Sequence, residues 1–217
     1  MELKHNMGLP SRTQAEAYFE DFHVPDNIKN HCFLVNTVAV FLAEKLKAKG
    51  QELDLDVVDI LSLLHDLFKP IVIKNFGTQP EFNCYPTKTQ IEFWKEMQKR
   101  YPSLHETELF HTIFKEEFPA FAQLMLHYGN HDVFTSQKSI EEQIVHYADW
   151  RVHLDTIVSL KERTDDLFVR YKNKIAAHNE KGRDLWKRRV ADEFAVEKDI
   201  FKNLHIKPED LKELLTP

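Results

Sequence analysis

The stretch HCFLVNTVAVFLAEKLKAKG, residues 31–50, carries the clearest helical pattern in this chain. Its apolar positions follow His31 at spacings of four, three, four and four residues, which places them on one face of an α-helix. These positions are Val35, Val38, Leu42 and Leu46. Pro25-Asp26 opens the helix and Gly50 ends it. The segment therefore predicts a core helix with a histidine at the N-terminal end of its apolar stripe.

Composition extends this prediction to the whole chain. The 217 residues are 42% hydrophobic and include only five glycines, which is enough apolar material for one sizeable core and favours helix throughout. No internal repeat, low-complexity tract or convincing strand pair is found. We therefore predict an all-α fold, a compact helical bundle formed by one domain over residues 1–217. Its core would span about residues 25–170, followed by a C-terminal helical extension over about 171–217.

Charge and cysteine content limit the class of protein. A formal net charge of -6 argues against nonspecific nucleic-acid binding and leaves room for a local basic pocket. Cys32 and Cys84 form no CxxC pair, which favours a reducing compartment over secretion. The N-terminus has no apolar signal-peptide region, and no stretch has the length of a membrane span. We expect a soluble, cytoplasmic protein.

Helix starts and stops place the remaining elements. Capping boxes are predicted at Ser11, Ser103 and Ser139, each followed three residues later by Gln or Glu. A third helix begins near Asp54 or Asp56 and finishes by Lys69, because the following proline disfavours helical geometry in the residue before it. His65 and Asp66 then lie in its last turn. Residues 70–90 hold three prolines and one glycine without a sustained period, which indicates an irregular excursion of the lid type.

Four polar side chains lie on or beside faces that the pattern buries, namely His31, His65, Asp66 and Asp149. Burying them together is expensive unless their charge is compensated, and a divalent metal ion does this well. Two aspartates offset the charge of one such ion. Neighbouring residues on a helix point about 100° apart, so Asp66 is better placed to bridge to a second ion or to position a water. Each residue also has an ordinary alternative, such as a core histidine or an Asp149–Arg151 ion pair.

Two further histidines are candidates for a second ion. His105 and His127 each lie at a helix end on an apolar face. Two ions roughly 3.5 to 4 Å apart would clamp an in-line phosphoryl displacement. The alternative is that His105 faces solvent in a first helical turn and that His127 is a favourable cation near a helix C-terminus.

The motifs in this order resemble the HD-domain phosphohydrolase superfamily over about residues 25–170. They are HCFLVNTVAVFLA from His31, LSLLHDLFK ending at Lys69, and EQIVHYAD ending at Asp149. The run ADWRVHLDTIVSLKER, residues 148–163, is similar to one found in many uncharacterised bacterial and archaeal members. The resemblance implies that His31, His65, Asp66 and Asp149 bind a first metal, with His105 and His127 at the positions of a second. The GYP signature is missing after His131, which argues against a cyclic-dinucleotide phosphodiesterase, and HDLFKP departs from the commoner HDIGK.

The expected function is a metal-dependent phosphohydrolase that cleaves a phosphomonoester or phosphodiester, with a nucleotide as the substrate class. Asp66 would position or deprotonate the metal-activated water, and Lys69 would stabilise the developing charge. Arg151 and His131 are the candidate substrate contacts. One or two divalent ions are expected, of Mn, Fe, Mg, Ni or Zn type. No membrane partner is expected, and a homo-oligomer is compatible with the sequence.

Two other functions remain open from the sequence. One is a non-catalytic, metal-stabilised module that binds a nucleotide for regulation. The other is a di-iron oxygenase, because a few HD relatives use that chemistry.

Overall fold

Helices make up most of the computed structural model, which describes residues 8–73, 75–177 and 179–215. The predicted all-α fold class is confirmed. The α-helices are α1 (Arg12–Asp21), α2 (Asp26–Ala48), α3 (Leu55–Leu64), α4 (Lys69–Val72), α5 (Lys88–Arg100), α6 (Glu106–Phe114), α7 (Pro119–Tyr128), α8 (Ile140–Arg151), α9 (Leu160–Ala177), α10 (Asn179–Phe201) and α11 (Leu211–Leu215). Short 3₁₀ turns lie at Pro80–Phe82, Thr135–Gln137 and Pro208–Asp210.

The capping predictions are confirmed at two of the three serines. Ser11 and Ser139 each accept a hydrogen bond from the backbone N–H three residues later, and the side chain at that position accepts one from the serine N–H. The prediction at Ser103 is wrong, because His105 is the cap of α6 and Glu108 is its reciprocal partner. Ser103 has a φ of 62°, in the left-handed region, so the chain turns there before the helix begins.

The end of α3 comes earlier than predicted. The helix stops at Leu64, so His65 and Asp66 lie in the turn between α3 and α4 instead of in a last helical turn. The Leu67 N–H donates to the Leu64 carbonyl at 3.1 Å, and the Lys69 N–H donates to the Asp66 carbonyl at 3.1 Å. These three-residue hydrogen bonds tighten the chain just before Pro70. The histidine and the aspartate are therefore held by a turn that is itself internally hydrogen-bonded.

The segment after α4 is irregular, as expected, but shorter than predicted. The backbone groups of Gln79 and Cys84 form two hydrogen bonds, at 2.9 and 3.1 Å, around the turn at Pro80–Phe82. Helix α5 then begins at Lys88, within the range that the sequence predicts to be irregular, and its Trp94 is fully buried. Its start has a sequence signal, because Thr87 and Gln90 form a capping box.

A minimal hairpin follows α8. Strands β1 (Val152–His153) and β2 (Thr156–Ile157) pair antiparallel, which corrects the expectation that no strand pair exists. Leu154 has a φ of 57°, as a tight turn between two short strands requires. The hairpin is too short for the alternating pattern that marks a strand in a sequence.

The described chain divides into two compact units. The first takes residues 8–33 and Asp59–Asn130. Its interior contains an aromatic cluster in which ring centroids lie 4.6 to 6.3 Å apart, formed by Tyr18, Phe22, Phe68, Phe110, Phe114, Phe118 and Phe121. Helices α6 and α7 pack together there, and a Cβ added to Gly129 would lie 2.8 Å from the Thr107 Cβ. Glycine is required at this close approach.

The second unit takes Leu34–Val58 and the described residues from His131 onwards. Within it, α10 packs against α8, α9 and the turn at Thr135–Gln137. Glu193 of α10 is buried, accepts a hydrogen bond from the Thr135 hydroxyl and lies 3.2 Å from Nδ1 of His146. These contacts tie the chain that follows α7 to the long C-terminal helix. The prediction of a single domain over residues 1–217 stays a prediction.

In the described part of the chain, none of the helices combines the length and the apolar character needed to cross a bilayer.

Candidate metal centre

Two histidines from the first unit lie side by side in its interior, with their rings tilted by 55° to one another. His31 occupies the second turn of α2, and His65 directly follows the last residue of α3. The two ring centroids are 5.5 Å apart, and the residues are only 9% and 4% exposed. The helical pattern predicted that His31 lies on a buried face, and it does.

The hydrogen bond made by His65 determines which of its ring nitrogens is available to a ligand. Its Nδ1 lies 2.8 Å from the carbonyl oxygen of Ser62, one helical turn earlier. A carbonyl oxygen only accepts, so Nδ1 carries the proton and donates it. The neutral ring then presents the lone pair of Nε2, the form in which histidine binds metal. The ring of Tyr128 packs edge-on against the same imidazole, with centroids 6.3 Å apart.

Asp149 of α8 forms a group with these two histidines. One ligand atom from each of His31, His65 and Asp149 lies within 4.8 Å of the other two. Ligand atoms that share one ion at about 2.1 Å lie about 3 to 4 Å from one another, which is close to the spacing of this group. Two imidazole nitrogens and a carboxylate suit a divalent transition metal. The residues present therefore fit the ion that the sequence predicts.

Asp66 lies beside this group without being one of its three members. Its Oδ2 is 3.8 Å from the Nε2 of His31 and 3.7 Å from the Nε2 of His65. Both distances exceed hydrogen-bond length but match the separation of two ligands around an ion. The carboxylate is 5% exposed and forms an ion pair with the ammonium of Lys69, whose side chain is 46% exposed. The Asp66–Lys69 pair thus extends from the buried group to the protein surface.

Neither of the two histidines expected at a second ion is a member of this group of three ligands. His105 is exposed and caps α6, with its Nδ1 3.0 Å from the Thr107 hydroxyl oxygen. His127 is exposed in the last turn of α7. Among the described residues, His31, His65 and Asp149 form the one group of three or more potential ligands at this spacing. A second ion at His105 and His127 stays a prediction.

The two expected substrate contacts have different surroundings. His131 is exposed, and its carbonyl oxygen accepts a hydrogen bond from the Arg189 guanidinium. Arg151 is 2% exposed. Its Nε donates to the Val158 carbonyl at 2.6 Å, one terminal nitrogen donates to the Pro208 carbonyl at 2.9 Å, and the other contacts Tyr147 and Glu197.

This arrangement favours a structural role for Arg151 over a contact with a substrate. All three guanidinium nitrogens are engaged inside the second unit, at the junction of α8, the hairpin and the turn before α11. Burial raises the pKa of Tyr147 above its ordinary value of 10.0, so the phenol stays neutral and donates to Glu197 at 2.7 Å. The arginine, phenol and carboxylate form one internal network.

Two residues of the site were not found from the sequence. Ser62 acts through its backbone carbonyl, and any residue type supplies that group, so only its position three residues before His65 was a signal. Tyr128 was not singled out in the sequence, and nothing in the sequence places its ring against His65.

Comparison of the chain with protein-family models, with curated proteins and with solved structures gives no match. The resemblance to the HD-domain superfamily therefore rests on the ordered motifs quoted above.

Proposed function

We propose that this protein is a metal-dependent phosphohydrolase that cleaves a phosphomonoester or phosphodiester, with a nucleotide as the substrate class. One observation carries the proposal: ligand atoms of His31, His65 and Asp149, far apart in the chain, lie within 4.8 Å of one another. The Nδ1 hydrogen bond of His65 supports it, because that bond leaves the Nε2 lone pair available to a cation. The order of the motifs supplies the reaction class.

The charges around the group suit a phosphate ester. A divalent ion bound there would polarise a phosphoryl oxygen and lower the pKa of a water, which is the chemistry that hydrolysis requires. Asp149 and Asp66 together offset the charge of one such ion. Lys69 adds a further positive charge at the exposed edge, where it is able to leave Asp66 and donate to a phosphate oxygen. The phosphate would thus be held by a cationic side chain at the rim of the site.

Asp66 is the proposed general base. Its carboxylate lies within 4 Å of both imidazoles and is ion-paired with Lys69, so it would lie beside a water that is bound to an ion held by these imidazoles. From there it orients the water and takes its proton on a carboxylate oxygen. As charge builds up on the phosphoryl oxygens, Lys69 stabilises it. We place the activity in the cytoplasm, which agrees with two cysteines that form no disulfide.

The experiment compares hydrolysis and metal content in matched variants. Protein purified without chelators is analysed for metal and assayed with p-nitrophenyl phosphate and its bis ester, with Mn²⁺ added. Asp66→Asn is expected to lower kcat by about 100-fold or more while metal is retained. His65→Gln is expected to lose the metal. Asp56→Asn and His205→Gln, at exposed positions, are the controls and are expected to resemble the wild type.

The outcomes separate the candidate functions. Hydrolysis that requires both Mn²⁺ and Asp66 supports the phosphohydrolase. Metal binding without turnover of either ester overturns it and indicates a binding module. Iron content with O₂ consumption overturns it in favour of an oxygenase. Equal metal content in His65→Gln and the wild type would show that the centre is not where we place it.

A further inference from the structure

Positive charge is concentrated where α9 leads into α10. Residues 168–190 hold eight of the 29 lysines and arginines of the chain but only two of its 35 aspartates and glutamates. Eight cations against two anions give this segment a local charge of +6, whereas the net charge of the chain is -6. Five of these cations are exposed and form no ion pair with any described residue, namely Lys172, Lys181, Arg183, Lys187 and Arg188. Like charges at this density repel one another, and an anionic partner would remove the repulsion.

Large apolar side chains are exposed on the same two helices. Five of the seven that the described part of the chain exposes lie there, namely Phe168, Val169, Tyr171, Leu185 and Phe194. Phe168 lies one helical turn beyond the buried Thr164 and is 44% exposed. Tyr171 lies one turn beyond the buried Leu167 and is 42% exposed. The inward face of α9 therefore continues past the part that other elements cover.

Phe168 is also the exposed end of a series of aromatic contacts. Its ring centroid lies 6.2 Å from that of Trp186 in α10. Trp186 stacks on Trp150 of α8 at 6.2 Å with an interplanar angle of 23°, and Trp150 stacks on His146 at 5.8 Å and 28°. Because Lys187 directly follows Trp186, the exposed rings of α9 and the cations of α10 form one surface.

We propose that residues 168–172 of α9 and 181–188 of α10, here termed the basic surface, bind single-stranded nucleic acid. Proteins that bind single strands combine cations for the phosphates with exposed aromatic rings on which bases stack, and this surface has both. The negative net charge of the chain disfavours nucleic acid elsewhere, so the binding is local. The inference depends neither on the metal centre nor on the proposed hydrolysis.

Other anionic partners fit the basic surface less well. A bilayer surface requires apolar side chains on one outward face of a helix. Val169 and Tyr171 lie on nearly opposite sides of α9, since each residue turns the helix by about 100°. A duplex presents its phosphates but keeps its bases stacked inside, and an acidic protein segment has no planar bases, so the exposed rings would have no role with either. A single strand uses both the cations and the rings.

The test is fluorescence anisotropy with a labelled oligothymidylate of about 20 nucleotides, which forms no base pairs. The full chain carries Asp66→Asn, so that the probe is not hydrolysed. Lys181→Gln combined with Lys187→Gln removes two cations of the basic surface. At about 0.1 M salt each phosphate contact on a single strand contributes about 5-fold, so this double variant is expected to bind about 10- to 25-fold more weakly. Lys161→Gln combined with Lys198→Gln removes the same charge from exposed positions of the same helices and is expected to change binding by less than about 2-fold.

Phe168→Leu tests the aromatic part of the basic surface. It keeps an apolar side chain against Trp186 but removes the ring, so binding of the oligothymidylate is expected to fall about 5-fold or more. A duplex of the same length is expected to bind more weakly than the single strand and to be unaffected by Phe168→Leu. The lysine variants keep the inference falsifiable if Phe168→Leu folds poorly, because their side chains are exposed.

Several outcomes would overturn the inference. Equal losses in the two lysine double variants would do so, as would the absence of binding at low salt. A duplex bound as tightly as the single strand, or a folded Phe168→Leu that binds like its parent, would overturn the assignment to a single strand. Binding of phosphatidylserine vesicles or of polyglutamate without binding of the oligothymidylate would overturn it in favour of a bilayer or an acidic protein.

Discussion

Arg151→Met removes a guanidinium that is 2% exposed and keeps an unbranched apolar stem in its place. The substitution distinguishes two roles for this residue, because the sequence predicts a contact with phosphate whereas the observed contacts indicate an internal, structural role. A residue that only contacts substrate can be replaced with little effect on folding. A residue that satisfies buried acceptors cannot.

The expected loss of stability follows from the hydrogen-bond partners that Arg151 would leave unsatisfied. Arg151 donates to the carbonyls of Val158 and Pro208 at 2.6 and 2.9 Å, and its terminal nitrogen lies 3.4 Å from Glu197. Hydrogen bonds from charged groups contribute about 1.5 to 3 kcal/mol each, but they are not additive. Removing one partner of a buried ion pair costs about 3 to 5 kcal/mol. Glu197 is 16% exposed, so solvent takes up part of its charge, and we expect a loss of about 3 to 5 kcal/mol in total.

The assay is urea unfolding followed by circular dichroism at neutral pH. Arg183→Met, at an exposed position, is the control and is expected to stay within about 0.5 kcal/mol of the wild type. Glu197→Gln combined with Arg151→Met is expected to lose less than the sum of the two single changes, because the residues share one network. The structural role is refuted if Arg151→Met unfolds within about 1 kcal/mol of the wild type while hydrolysis of p-nitrophenyl phosphate is lost.

Three further predictions concern the folded chain. Gly129→Ala is expected to lower the free energy of unfolding by about 1 to 3 kcal/mol, because the new methyl group collides with Thr107 at the start of α6. Gly8→Ala, where the new methyl group meets no neighbour, is the control, and both variants are compared by thermal unfolding. Because burial raises the pKa of Tyr147, the contribution of its neutral phenol to folding stability is present below pH 10.0 and is lost as the pH rises above that value. Tyr147→Phe is expected to flatten this loss of stability at alkaline pH in urea titrations, and parallel stability curves for the variant and the wild type would contradict the prediction. Ser139→Ala is expected to lose about 0.5 to 2 kcal/mol of stability by the same measurement, and Ser103→Ala, which removes no cap, clearly less.

The periodic parts of the chain were predictable because helical burial repeats along the sequence. His31 and the apolar residues that follow it share one face of α2. Gly50, with a φ of 87°, lies just past the end of that helix, as expected. The capping boxes at Ser11 and Ser139 were predictable because both of their hydrogen bonds join residues three apart. The same local rule failed at Ser103, where the backbone turns before the helix starts.

Side chains whose partners are distant in sequence were less predictable. Lys69 and Arg151 were both read as cations beside a phosphate, and nothing in their local sequence separates them. Lys69 is half exposed beside Asp66, whereas Arg151 is enclosed by a hairpin and a turn that were not predicted from the sequence. His105 was a candidate ligand by its order along the chain; the structure shows in addition that it caps α6, which its local sequence did not indicate, and a metal-binding role for it stays a prediction.

Residue type and spacing along the chain were enough to predict an all-α protein, since helix formation depends on neighbours within a few residues. They also nominated the imidazoles and carboxylates of a candidate metal centre. Which of those groups meet, which imidazole nitrogen is left for a ligand and which arginine is enclosed were decided only by tertiary packing. The physical reason is that hydrogen bonds and burial between distant segments leave no period in the sequence, and their energies depend on distances that only the folded chain defines.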